Sequence, residues 1–278
     1  MAITSISEDL KGKVAIVTGA GSRPGEGVGN GRAAALLLAR AGARLVLADA
    51  IREWADDTRR MIEAEGGQAV VVKADVTQPA ECEAIVAAAT GSWGRLDVLV
   101  NNVGISGAKG TAEAVDLMEW NHGLLVNVTS MMLMAKYAVP AMRLTGPDKA
   151  EGGGAIVNIA SVAGLKGGHP SLLYPTSKGA VVNMTRAMAV HHAPDNIRVN
   201  CVCPGMVYTP MVQANNMTLE KRELRRKRSI LQVEGSGWDV GAAVTFLCGG
   251  NSRWMTGAIV PVDAGATAIA ALPSGSGG

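Results

Sequence analysis

The sequence predicts an α/β fold, a doubly wound parallel sheet of about seven strands flanked by helices. Short runs rich in Val, Ile and Leu alternate with longer amphipathic or Ala-rich runs from Lys13 to Asp263, the pattern of repeated βαβ units. The first strand opens directly into a glycine-rich turn and an Ala/Leu helix, the start of a dinucleotide-binding unit. With 48% apolar and 18% charged residues in 278, the chain can fill one large core, and no second core is visible. One domain is expected over residues 12–268, after an N-terminal arm at 1–11 and before a flexible tail at 269–278.

Lys13 to Thr18 (KVAIVT) is the first strand, followed by GAGSRPGEGVGNGRAAALLLARAG. Glycines at this place let the backbone approach a pyrophosphate held at the helix N-terminus, which nominates Gly19, Gly21, Ser22, Arg23, Gly27, Val28 and Gly29 as cofactor contacts. The second strand, ARLVLAD, ends in Asp49, twenty residues after Gly29. A carboxylate there either accepts hydrogen bonds from the adenosine ribose or caps the helix AIREWADDTRRMIEAEG that follows. QAVVVKAD and RLDVLVNN are the third and fourth strands, separated by the helix PAECEAIVAAATGSWG. Asp75 and Asn101 sit at strand C-terminal ends, where open α/β sheets bind ligands, and both are expected on the adenine side.

A long helical region from about Ala112 to Leu144 leads to the fifth strand, AIVNIAS. Its apolar stretch GLLVNVTSMMLMAKYAVPAM carries Asn127, Lys136 and Pro140 and reads as a buried helix, not a membrane span. The next helix, its start marked by Pro170 and Ser171, bears Tyr174 and Lys178; Pro175 is tolerated because a first turn needs few donors. IRVNCVCPG is the sixth strand, GWDVGAAVTFLCGG a helix and AIVPVD the seventh strand.

Tyr174 and Lys178, four residues apart, share one helix face, so the ammonium can favour the phenolate and pull the phenol down from a pKa of about 10. Ser161, thirteen residues upstream at a strand end, can hydrogen-bond the oxygen that Tyr174 protonates or deprotonates. The trio suits general acid/base work at an alcohol or ketone carbon. Taken alone, the pair also reads as a buried tyrosine beside a solvated lysine.

The net charge of +2 gives no reason to expect a nucleic-acid partner. The run TLEKRELRRKR (Thr218 to Arg228) has no aromatic stacking surface beside it and reads as the solvated face of a helix. MAITSISEDLKGK lacks the apolar core of a signal peptide or membrane anchor, so a cytoplasmic location is expected. Cys82, Cys201, Cys203 and Cys248 have no metal-ligand spacing and read as small core residues; no metal site is expected.

TGAGSRPGEGVG, Asp75-Val76, Asn101-Asn102-Val103-Gly104, Asn127, Ser161, Tyr174-Pro-Thr-Ser-Lys178 and Pro204-Gly205-Met206-Val207-Tyr208-Thr209 together make the chain resemble a short-chain dehydrogenase/reductase from about Gly12 to Gly265. The resemblance implies a Rossmann-like sheet, hydride transfer with a nicotinamide cofactor, and a tetrad of Asn127, Ser161, Tyr174 and Lys178. It also implies that Lys178 holds the nicotinamide ribose, that Asn127 maintains a water relay to Lys178, and that the segment around Thr209 holds the carboxamide. Asp75, Val76, Asn102, Val103, Gly104, Pro204, Gly205, Val207 and Thr209 join the cofactor set on this basis. Residues of about 207–235 then form a substrate lid, and the helices spanning Met131 to Met142 and Ala180 to Met188 imply a homotetramer.

Three places depart from the family pattern: seven residues separate Gly19 from Gly27, so that SRPGE is expected to reach over the cofactor; Val103 replaces Ala; and Asp263-Ala264-Gly265 replaces Asp-Gly-Gly. The expected substrate is a medium-sized, largely apolar secondary alcohol or ketone, because Ala163, Leu165, Leu172, Met206, Tyr208 and Met211 include no arginine. His169 either touches this substrate or is a loop histidine in solvent or at an interface. NAD is expected over NADP: a 2′-phosphate about 4 Å from the Asp49 carboxylate is repelled by roughly 4 kcal/mol at an effective dielectric near 20. Arg23 and Arg52 are the competing signal, and Ala50 follows Asp49 where a basic residue would favour the phosphate. An epimerase or enoyl reductase could share this fold, whereas a non-catalytic cofactor-binding sensor would need no acid/base group.

Overall fold

A computed structural model describes residues 9–144, 153–214 and 217–269. Most of the expected arm, residues 1–8, and all but the first residue of the expected tail, residues 270–278, lie outside that range. Seven strands, β1 (Val14–Thr18), β2 (Arg44–Asp49), β3 (Ala69–Lys73), β4 (Val98–Asn101), β5 (Ala155–Ile159), β6 (Arg198–Pro204) and β9 (Ile259–Val262), form one sheet. Its order is β3-β2-β1-β4-β5-β6-β9, and every pairing is parallel. The order reverses between β1 and β4, which opens a crevice at the C-terminal ends of those strands.

β1 shows why the sheet needs cover on both faces. Val14 and Ile16 join one core with Ile85 of α3 (Pro79–Trp93) and Met134 of α5 (Ser130–Leu144). Ala15 and Val17, pointing the other way, join Leu36 and Leu38 of α1 (Asn30–Arg40) and Val240 of α9 (Gly237–Cys248). The remaining sheet-covering helices are α2 (Arg52–Ala64) and α6 (Leu173–His192). All four cysteines are free and buried.

The long helical run begins at Leu117, later than the 112 read from the sequence, because the Asp116 side chain accepts from the Glu119 amide at 2.8 Å and caps the helix there. It consists of α4 (Leu117–Leu124), one π turn (Leu125–Thr129) and α5. By length and composition 117–144 could cross a membrane, but half of its most apolar window is buried inside the fold. Its own Met131, Met134, Ala138 and Met142 are buried, which accounts for much of its methionine content.

Between β6 and α9 the chain forms β7 (Val207–Tyr208), α7 (Pro210–Gln213), α8 (Leu219–Arg226) and β8 (Gly235–Ser236). β7 and β8 pair as a small parallel sheet that the sequence did not suggest, since each contributes two residues. Thr218 caps α8 by accepting from the Lys221 amide. The basic run on α8 is engaged within the fold: Arg222 pairs with Glu234, and Arg226 and Lys227 with Glu223.

Candidate active site

The glycine turn after β1 is held from two sides. Asn102, just past β4, donates its side-chain amide to the carbonyls of Thr18 (3.1 Å) and Gly19 (3.0 Å), while its backbone N–H donates to the Thr18 hydroxyl. Its amide is thus spent on shaping the turn. Gly29 is the N-cap of α1, and Gly31, outside the set nominated from the sequence, packs against the turn. A Cβ on Gly31 would lie 2.0 Å from the Gly19 carbonyl oxygen, so close helix-to-turn packing demands glycine there. Gly27 (φ +86°) belongs to the loop before it, where a Cβ would make only ordinary contact, 3.8 Å from the Tyr208 carbonyl oxygen. Ser22 accepts from the Gly29 amide at 3.1 Å, and Val28 is buried beneath.

The Asp49 carboxylate meets a backbone amide with each of its oxygens. Oδ2 accepts from the Gly21 amide and Oδ1 from the Ile51 amide, each at 2.9 Å, tying the turn to the start of α2. Arg32, which the sequence reading passed over, reaches from α1 to the Trp54 carbonyl (3.0 Å), the Thr58 hydroxyl (2.9 Å) and the Ser22 carbonyl (3.4 Å). Burial lowers its pKa, opposed by Asp57 and Asp49. Arg52 pairs with Asp56 at 3.4 Å, and Arg23 is exposed in the loop.

Asp75 is exposed after β3, with Oδ1 accepting from the amide and hydroxyl of Thr77; Val76 is buried in the core. Asn101 does not face the adenine side. It is 1% exposed and donates to Asn158 Oδ1 at 2.9 Å, and Asn158 donates in turn to Thr185. Alternation along β4 explains this, for a residue of the strand proper points into a layer, whereas Asn102 one step later meets the turn.

Ser161, Tyr174 and Lys178 meet beyond the end of β5. Ser161 caps a short 3₁₀ turn, accepting from the Ala163 amide at 3.1 Å, and its hydroxyl lies near enough to the Tyr174 phenol to lower the phenol pKa. Lys178 is buried, donates to the Ile159 carbonyl at 3.0 Å, and holds Nζ 5.9 Å from the Tyr174 ring centroid. Burial brings its pKa down to about 8, opposed by Cys201 and Cys203. The expected lowering of the Tyr174 pKa is not found: burial raises it, and the Ser161 hydrogen bond only partly offsets the rise. Gly104 keeps space beside the lysine, since a Cβ there would stand 3.0 Å from Nζ and 3.4 Å from Asn127 Oδ1. Val103 next to it packs on the core.

Asn127, fully buried in the π turn, spends its side chain on protein partners: Oδ1 accepts from the Ile105 amide (2.8 Å), and Nδ2 donates to the Ile105 carbonyl (2.9 Å) and the Ser177 hydroxyl (3.0 Å). Ser177 donates on to the Tyr174 carbonyl at 2.9 Å. Ile105 did not stand out in the sequence, and the signal for Ser177 is only that a polar residue sits three positions after Tyr174.

His169 is exposed and lies 5.1 Å from the Tyr174 ring, with Nδ1 accepting from the Ser171 amide. Leu165, Leu172 and Met211 are exposed, and Ala163 and Met206 half-buried. Tyr208 lies under the Arg222 guanidinium, 3.8 Å from its ring centroid, so an arginine does reach the expected substrate wall. Pro204 ends β6, Gly205 donates to the Val262 carbonyl, Val207 accepts from Arg225 at 3.2 Å, and Thr209 is the buried N-cap residue of α7.

A family model described as enoyl-(acyl carrier protein) reductase matches residues 26–267. The cis-4-hydroxycyclohexanecarboxylate dehydrogenase of Sinomonas cyclohexanicum is 35% identical over 264 residues, covering 95% of this chain and 100% of that one. The meso-2,3-butanediol dehydrogenase of Serratia marcescens is 35% identical over 261 residues, covering 94% and 97%. Among solved structures, a 7α-hydroxysteroid dehydrogenase complexed with NADH and 7-oxo glycochenodeoxycholic acid matches with a TM-score of 0.85 at 30% identity, covering 95% of this chain and 98% of that one.

Proposed function

The chain belongs to the short-chain dehydrogenase/reductase family, which works with a nicotinamide cofactor, and on that premise we propose an NAD-dependent oxidoreductase acting on a medium-sized, largely apolar secondary alcohol or its ketone. The observation that carries the reading is the convergence of the Ser161 hydroxyl, the Tyr174 phenol and the buried Lys178 ammonium at the crevice end of the sheet. Domain limits of 12–268, with a lid at about 207–235, follow the same reading.

A dinucleotide fits the residues present. The turn is free of side chains at Gly19, Gly21 and Gly29, α1 directs its N-terminus at it, and Gly104 leaves room beside Lys178. Ser22, Arg23, Gly27 and Val28 flank the phosphate region, Asp49, Asp75 and Val76 the adenosine, and Asn102 and Val103 the crevice floor. Pro204, Gly205, Val207 and Thr209 line the nicotinamide end, where Tyr174 and Lys178 would hold the ribose. When bound, the nicotinamide accepts or supplies the hydride. In ketone reduction Tyr174 donates its phenolic proton to the substrate oxygen, which the Ser161 hydroxyl holds in place; in alcohol oxidation the phenolate takes that proton back. Lys178, fixed on the Ile159 carbonyl, holds its cation 5.9 Å from the Tyr174 ring centroid, on the side where it would favour a phenolate. Asn127 positions: it fixes the backbone at Ile105 and, through Ser177, the first turn of α6.

The Asp49 carboxylate supports NAD over NADP, and the engagement of Arg52 with Asp56 removes one competing cation. Ala163, Leu165, Leu172, Met206 and Met211 supply an apolar wall with His169 at its rim, and the relatives named for cyclic and short-chain alcohols support the substrate class. A homotetramer in the cytoplasm completes the reading; exposed Met132, Leu117, Met118 and Val190 on α4, α5 and α6 support the assembly.

The test is absorbance at the reduced-nicotinamide band with a panel of secondary alcohols and ketones, run beside an enoyl thioester. Turnover of alcohols with NAD supports the reading. Turnover of the enoyl substrate alone would replace it with the reaction for which the family model is described.

A further inference from the structure

The loop Arg23–Glu26, which lengthens the glycine turn, bridges to three parts of the segment between β6 and α9. The Glu26 amide donates to Gln213 Oε1 of α7 at 2.9 Å. Glu26 Oε2 receives the Tyr208 hydroxyl of β7 and Arg222 Nη1 of α8, each at 3.5 Å. Arg222 is itself held, stacked on Tyr208 and forked onto Glu234 at 2.5–3.0 Å, so Glu26 meets a preformed cation. The approach is close: a Cβ on Gly25 would stand 2.5 Å from Gln213 Oε1, and one on Gly27 3.8 Å from the Tyr208 carbonyl.

The turn at Gly19–Gly31 and the segment Val207–Thr209 are the two walls of the crevice at the C-terminal end of the sheet, and the Glu26 contacts join one wall to the other. We propose that Glu26 is a positioning residue, a latch that couples closure of residues 207–214 and 217–235 to retention of the dinucleotide. This rests on the dinucleotide reading given above. With the latch made, a nucleotide lying between the walls cannot leave until Glu26 parts from Gln213, Tyr208 and Arg222. Exposed ion pairs are individually weak, so the latch opens readily, and added salt weakens it further. Opening and product release, not the hydride step, then set the rate at which cofactor exchanges.

The experiment follows NADH release by stopped-flow fluorescence in the parent, Glu26→Ala and Gln213→Ala, at low and high salt. Release is expected to quicken by roughly fivefold in Glu26→Ala, which loses the Tyr208 and Arg222 contacts but keeps its amide on Gln213, and to a similar extent in Gln213→Ala, which loses that amide contact alone. Salt should quicken release in the parent and have little effect in Glu26→Ala. A second measurement needs no cofactor: amide hydrogen exchange over 208–213 and 219–226 should be faster in Glu26→Ala than in the parent. Release within twofold of the parent in Glu26→Ala, or unchanged exchange in those segments, overturns the latch. A parent chain that binds no NADH overturns the dinucleotide reading and the coupling together, whereas parent binding with unaltered release overturns the latch alone.

Discussion

Asn127 Nδ2 stands 3.0 Å from the Ser177 hydroxyl, across fifty residues of chain, and both groups are buried. This one hydrogen bond joins the π turn to the helix that carries Tyr174, because Ser177 passes it on to the Tyr174 carbonyl. π turns inside α-helices occur frequently at functional sites. Here the turn holds Asn127 against the Ile105 backbone.

Asn127→Ala should therefore cost more than Ser177→Ala. The first removes two bonds to the half-buried Ile105 backbone and one to Ser177, each worth about 1 kcal/mol, whereas the second removes the Asn127 and Tyr174 bonds of Ser177 alone. Denaturant unfolding checks the stabilities. Turnover should fall further in Asn127→Ala, since Ile105 and the first turn of α6 both lose their tether.

Gly31→Ala and Gly27→Ala separate packing from conformational freedom. A Cβ at 31 meets the Gly19 carbonyl and must push helix from turn, destabilising by at least about 1–3 kcal/mol and weakening dinucleotide binding. Gly27→Ala meets no close neighbour and costs only the left-handed backbone conformation, about 1–2 kcal/mol. Thermal unfolding with and without NADH measures both.

Lys178 makes stability depend on alkaline pH. Burial lowers its pKa from 10.5 in the ordinary state to about 8, so between these values the unfolded chain binds more protons than the folded one. The Lys178 contribution to stability thus rises with pH across that window, by up to about 1.4 kcal/mol per pH unit. Lys178→Met should remove this rise; the difference between parent and variant in urea unfolding at pH 7 to 10 measures it. A difference that does not change with pH would contradict the burial argument.

The strands were legible because fully buried parallel strands read as unbroken Val, Leu and Ile runs, as β1 and β2 do. Tyr174, Lys178 and Ser161 were legible because four-residue spacing on a helix and a strand-end serine are local facts. Contacts made only by folding were not: Glu26 and Arg222 are 196 residues apart, and Asn127 and Ile105 are 22 apart in different elements. The place of Gly31 was missed because several glycines share the turn, and only its distance to the Gly19 carbonyl distinguishes it. The Tyr174 pKa was misjudged because spacing showed the lysine but not the burial that outweighs it.

Cofactor choice rests on Asp49, whose two oxygens already meet the Gly21 and Ile51 amides. The parent should prefer NAD in kcat/KM with one shared substrate, and Asp49→Ser should erode that preference while loosening the turn. NADP equal to or better than NAD in the parent would contradict the assignment; an unchanged ratio in Asp49→Ser would place the selectivity elsewhere.

The most direct test of the central claim is the turnover of Tyr174→Phe, which keeps the ring against His169 and Lys178 and removes only the phenolic oxygen. Loss of a general acid/base should lower kcat by about a hundred- to ten-thousand-fold while NADH still binds, as fluorescence titration would report. A Tyr174→Phe enzyme that turns over within a few-fold of the parent would contradict the account.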